Sequence, residues 1–297
     1  MGKAEDYNKK SSGELGWEPS WFIPGHIQFD ELLTNAIIQF QKDSGIAADG
    51  MCGPGTYRRI YAKVEADSIY EAQKWMTDTS DVIWWQNTPI KIDWPSSKVH
   101  TFKDQGFPYP ISEGVTKNKG QREIRSFVNH WDVCLSSSSC AKVLKDRGVS
   151  VHFCIDNDGT IIQLHDINDS CWHAGVRNVN RYSIGVEISN AWYPKYQNWY
   201  VKNGFGERPI ISGAKVNGRK LDDHLGFYQV QLEALKALWK AVHEGCGIPY
   251  VTPDMKNSYD PEANGGNFRG FMHHYHCSAK KIDCGGLDID ELMKDLL

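Results

Sequence analysis

Between residues 121 and 297, short stretches with strand pattern alternate with stretches of helix pattern, and this interleaving restricts the fold more than any other feature. SFVNHW (126–131) reads as a strand and AKVLKDRG (141–148) as a helix. VHFCIDNDGTIIQL (151–164) reads as two strands joined at Asn157-Asp158-Gly159, since Asp-Gly supplies the positive φ of a tight hairpin. SIGVEIS (183–189) alternates strictly, with Ile184, Val186 and Ile188 on one face and Gly185, Glu187 and Ser189 on the other. Leu232, Leu235, Leu238, Trp239 and Val242 mark a helix that Gly245 can close. The predicted class is therefore α/β, with a mixed central sheet flanked by helices.

The first third of the chain has a different character. Leu32, Leu33, Ile37 and Phe40 recur at helical spacing, so DELLTNAIIQFQKDSG is an amphipathic helix that Gly45 can end, and Thr56 can N-cap a second helix, YRRIYAKVEA. Residues 68–120 show no sustained period. Trp75, Trp84, Trp85 and Trp94 stand there among prolines, which reads as a connector pinned down by aromatic anchors. The segment Trp192–Leu225, rich in Trp and Tyr, is longer than a plain strand-to-helix connection and is expected to form a wall of a substrate groove.

Composition narrows the function. With 33 Lys+Arg against 37 Asp+Glu, the net charge of −4 provides no basic field for nucleic acid. No stretch reaches the roughly 18–20 apolar residues of a membrane-spanning helix, so no membrane insertion is expected. The start, MGKAEDYNKKSSGELGW, lacks the apolar core of a secretory signal, and synthesis in the cytoplasm is expected. Eight scattered cysteines suit reduced thiols, with Cys134 and Cys140 a candidate local bridge.

Four local features carry chemistry. His130 ends the strand FVNH. The run MHHYHCSAKKIDC (272–284) packs three His, two Cys and an Asp into thirteen positions, and these side chains are the ligands of zinc. Glu187 stands between the small residues Gly185 and Ser189 on a sheet face. Cys171-Trp172-His173-Ala174-Gly175 suits a loop that approaches a ligand closely.

Two resemblances follow from these residues. Phe40-Gln41, Gly45-Ile46, Asp49-Gly50, Gly53-Pro54 and Thr56 match without a gap the pattern of the small three-helix peptidoglycan-binding domain. Val128–His130, His152–Leu164, Trp172–Gly175, Ser183–Glu187 and then His274 with Lys281–Gly286 appear in the order of the zinc-dependent N-acetylmuramoyl-L-alanine amidases. That fold is shared by phage endolysins, bacterial amidases and the animal peptidoglycan-recognition proteins. The resemblances imply a peptidoglycan-binding domain at 1–67, a connector at 68–105 and a catalytic domain at 106–297.

The amidase resemblance implies Zn2+ as cofactor, with His130 as first ligand and His274 as second, His273 and His276 being the neighbours that could displace it. The third ligand is Asp283 or Cys284. Asp283 is favoured, because the K-x-D register also places Lys281. Glu187 is implied as general base and Lys281 as oxyanion stabiliser, while His152, His173 and Trp172 are expected at the substrate or in orienting roles. Cys134 and Cys140 also follow His130 at the spacing of a disulfide in the animal proteins. The implied activity is cleavage of the amide between N-acetylmuramic acid and L-alanine, with peptidoglycan as partner and a monomer acting at the cell wall, as in a phage endolysin. A non-catalytic peptidoglycan receptor and a stem-peptide zinc peptidase are the alternatives.

Overall fold

A computed structural model describes residues 2–71, 73 and 80–297, so Trp75 lies outside the described residues. The chain divides into two compact units, Met1–Glu71 with Val133–Leu135, and Ala72–Asp132 with Ser136–Leu297.

The first unit contains α1 (Lys3–Leu15), α2 (Glu31–Asp43) and α3 (Pro54–Ala66). Asp30 caps α2 by accepting from the Leu33 N–H at 3.0 Å, and Gly45 follows its end at a φ of 62°. Trp17, Leu33, Ile37, Tyr57 and Ile60 are buried and form the unit's core. The turn between α2 and α3 is organised by one buried amide. Gln41 Nε2 donates to Asp49 Oδ1 (2.8 Å), the Met51 carbonyl (3.0 Å) and Thr56 Oγ1 (3.0 Å), while its Oε1 accepts from the Gly50 N–H at 2.9 Å. Thr56 therefore does not cap α3 as its position suggested. The helix starts two residues earlier at Pro54, whose fixed φ suits the first helical position, and Gly53 is the cap residue. Gly50, at φ 73°, has no room for a side chain: a Cβ there would lie 2.8 Å from Thr34 Cγ2.

The second unit is built on a six-stranded sheet. Its strands are β1 (Val99–Thr101), β2 (Ser126–Trp131), β3 (Phe153–Ile155), β4 (Ile161–Gln163), β5 (Ser183–Ile188) and β6 (Gly270–His273), in the order β6-β2-β5-β3-β4-β1. The β3–β4 hairpin is antiparallel and the other pairs are parallel, which makes the sheet mixed. The edge strand β1 lies within the segment read above as connector; three residues are too few to show a period. An antiparallel hairpin, Val82–Trp85 with Thr88–Lys91, lies in the same segment.

Among the helices that accompany the sheet are α4 (Ser137–Asp146), α5 (Arg177–Tyr182), α6 (Gln229–Cys246) and the single turn α7 (His274–Cys277). Trp239 of α6 packs on Phe271, which meets Phe127 and Tyr250, so one sheet face is covered by aromatic rings. On the opposite face Val128 and Met272 join Ala174, Val179, Ala263, Phe268 and Cys277 in a second core. Helix α6 runs past Gly245 and is closed by Gly247 at φ 71°; Gly245 is small because a Cβ there would meet Ile90 at 2.6 Å. No helix among the described residues is long and apolar enough to cross a membrane.

Candidate metal centre

The parallel strands β6, β2 and β5 end together, and such ends are where side chains of an α/β sheet converge on a ligand. His130 is register partner of Glu187, and His273 of Asn129, so the first residue beyond β6, His274, falls beside His130. Alternation puts His130 on the same face as Val128, and the second core thus forms the floor under the histidine. Asp283 arrives from the loop after α7, held by the Tyr275 N–H donating to its carbonyl at 3.1 Å.

Three ligand atoms meet there. His130 Nδ1 and His274 Nδ1 are 2.9 Å apart, and Asp283 Oδ2 lies 3.2 Å from the first and 2.9 Å from the second. Zinc bonds of about 2.0–2.2 Å in a tetrahedral site set ligand atoms about 3.3–3.6 Å apart, slightly wider than observed. The far nitrogen of each ring is engaged elsewhere: His274 Nε2–H donates to the Ala174 carbonyl at 3.0 Å, and His130 Nε2 meets His173 Nδ1 at 2.9 Å. Two imidazole lone pairs and a carboxylate oxygen facing one another need a cation between them, a proton or a metal ion. The donor set N, N, O is one that zinc accepts and that leaves a fourth position open.

The electrostatics match. Burial, then the His274 charge, lower the His130 pKa to about 4, with Lys281 contributing more weakly, so His130 is unprotonated and ready to ligate at neutral pH. Burial alone would raise the Asp283 carboxyl. The neighbouring imidazoles, His274 first and then His130, outweigh it and hold the group well below the usual carboxylate range. Cys284 is buried with its thiol pushed well above the ordinary value, burial being the main cause and the Asp283 carboxylate the next. Among the described residues, the side chains here that could hold a metal ion are His130, His274 and Asp283.

A family model described as N-acetylmuramoyl-L-alanine amidase matches residues 120–283. The chain belongs to that amidase family. A second model, described as "Putative peptidoglycan binding domain", matches residues 22–60. The chain is 36% identical over 67 residues to "Putative N-acetylmuramoyl-L-alanine amidase" of Rickettsia conorii, an alignment covering 20% of this chain and only 25% of that relative. Among solved structures, AmpDh3 of Pseudomonas aeruginosa in complex with anhydromuramic pentapeptide is 23% identical, with a TM-score of 0.38 and 61% and 63% of the two chains covered. The endolysin amidase LysCS of Clostridium intestinale is 15% identical, with a TM-score of 0.39 and 67% and 95% covered.

Around this candidate metal group the remaining candidate residues divide by exposure. Trp172 is 50% exposed, with its Nε1–H donating to Thr116 Oγ1 at 3.2 Å, and Lys281 is exposed. Glu187 is buried, one strand from His130. His152, expected at the substrate or in an orienting role, is fully buried. Its Nδ1 accepts from the Gly185 N–H at 3.0 Å and its Nε2–H donates to the Asp169 carbonyl at 2.9 Å, so it braces the strand that carries Glu187. His173 is held well below the ordinary imidazole value, first by burial and then by the neighbouring histidines.

His273 Nε2 turns to the Leu287 carbonyl and His276 Nδ1 accepts from the His273 N–H, and it is His274 that stands in the group that could hold a metal. Cys134 and Cys140 are not joined by a disulfide. Sequence reasoning missed Arg122, whose buried guanidinium donates to the carbonyls of Ile167, Arg181 and Ser183 and ties down the start of β5. Its only local signal is an arginine in a charged, polar run, which looks like a surface residue.

Proposed function

We propose that the chain is a peptidoglycan hydrolase that cleaves the amide between N-acetylmuramic acid and L-alanine. The observation that carries this reading is the convergence of His130 Nδ1, His274 Nδ1 and Asp283 Oδ2 beside Glu187, in a chain of the amidase family. These three residues are the assigned metal ligands. A zinc ion held by them supplies Lewis-acid activation of water and of the scissile carbonyl.

The chain's own groups supply the rest. Glu187, on the strand next to His130, takes the proton of the attacking water and passes it to the departing amine of L-alanine. Lys281, whose charge contributes weakly to the low pKa of His130, is assigned to stabilise the negative oxygen that develops on the carbonyl. Trp172 offers an exposed ring to the sugar or stem peptide. Residues 1–67 act as the wall-binding domain and 106–297, with the edge strand before them, as the hydrolase, so that binding raises the effective concentration of enzyme on an insoluble polymer. Action is at the cell wall, as for an endolysin, and by a single chain.

Digestion of purified peptidoglycan tests the reading. New L-alanine amino ends without new reducing ends, lost on chelation, support it. Cleavage within the stem peptide, or binding without products, contradicts it.

A further inference from the structure

An imidazole can offer Nδ1 to a metal only while its proton stays on Nε2, and a free histidine does not keep it there. The hydrogen bonds around the two histidine ligands fix both protons, and one dipeptide does it. The Ser183 hydroxyl lies 2.6 Å from the Val179 carbonyl, a contact that requires its only hydrogen. Ser183 Oγ must then accept from His173 Nε2–H, 3.1 Å away. That leaves His173 Nδ1 as an acceptor, and it faces His130 Nε2 at 2.9 Å. The proton of His130 is thereby placed on Nε2 and its Nδ1 lone pair faces Asp283. The next residue treats the other ligand in the same way, because the Ala174 carbonyl accepts from His274 Nε2–H at 3.0 Å. Ala174 is itself anchored by its N–H donating to Asn180 Oδ1 at 2.9 Å.

Gly185 makes room for this arrangement. A Cβ on it would lie 2.7 Å from the His173 ring, so β5 must be bare where the imidazole crosses it.

We propose that His173-Ala174 is a tautomer template: the His173 side chain, oriented by Ser183 and admitted by Gly185, and the Ala174 carbonyl preset both histidines to hold the metal through Nδ1. His173 and Ser183 are positioning residues, not ligands. The inference rests on the metal reading above and needs none of its substrate chemistry.

The test uses the full chain stripped of metal. Zinc affinity is measured by competition with a chromogenic chelator, and the protonated nitrogen of each histidine by long-range 15N–1H correlation in the metal-free protein. The wild type should show protons on Nε2 of His130 and His274. His173→Ala should weaken zinc about 10- to 100-fold and spread the His130 proton over both nitrogens. His173→Asn keeps an acceptor near the position of Nδ1 and should stay within a few-fold of wild type. Gly185→Ala, which removes no polar group, should reproduce the loss. A His173→Ala chain that binds zinc as tightly as wild type, or keeps the His130 proton on Nε2, overturns the template. A wild type that passes both measurements but frees no L-alanine amine from peptidoglycan overturns the amidase reading and leaves the template standing.

Discussion

Asp283 and Cys284 are neighbours in sequence with opposite chemistry. The carboxylate is stabilised in its charged form by His274 and His130, while the thiol is held protonated by burial and by that same carboxylate. Asp283→Asn is therefore expected to abolish stoichiometric zinc, and Cys284→Ala to keep it, as read by metal analysis of dialysed protein. Glu187→Gln should leave zinc content unchanged and lower turnover about 10²- to 10⁴-fold, the usual contribution of a positioned proton carrier. Loss of zinc in that variant would move Glu187 from proton carrier to ligand. The residues of the candidate metal group were legible because the His, Cys and Asp run and the strand-ending His130 are local patterns. The buried role of His152 was not, because nothing within its own strand shows that Gly185 and Asp169 occupy both of its nitrogens.

The elements read from periodicity are those long enough to show it, α2, β5 and α6. Strand β1, with three residues, and the start of α3 depend on partners far away in the chain, on β4 for the one and on Gln41 for the other. Gln41 gives this a measurable form. Its replacement by Ala leaves the Gly50 N–H, the Met51 carbonyl and Thr56 Oγ1 short of a partner, at a cost of about 2–4 kcal/mol to the first unit. Thermal unfolding should show a loss confined to that unit. Turnover on insoluble sacculi should fall while turnover on a soluble muramyl peptide holds; equal losses on both substrates would contradict a separate wall-binding role.

At the scale of the molecule, buried neutral histidines make the fold acid-sensitive. Burial, then the Lys117 charge, lower His165 to about 4, and burial, then Arg122, hold His152 well below its ordinary value. The unfolded chain takes up protons as pH falls below about 6.5, whereas folded His165 does not until about 4, so stability declines across that window and is fully present above it. His165 alone accounts for on the order of 3 kcal/mol. Midpoints of urea unfolding from pH 7.5 to 4.5 should fall with acid, and a flat profile would contradict burial of these rings. The net charge of −4 places attachment to an anionic wall polymer on specific contacts, not on bulk attraction.

The central claim, hydrolysis of the muramyl–alanine amide at a metal site of two histidines and one aspartate, is tested most directly on N-acetylmuramyl-L-alanyl-D-isoglutamine, which has one such bond and no glycosidic link between sugars. Zinc-loaded protein should release N-acetylmuramic acid and a dipeptide with a free L-alanine amine, lose this activity on chelation and regain it with added zinc. Fully zinc-loaded protein that leaves this bond intact, or that cuts after L-alanine instead, would contradict the account.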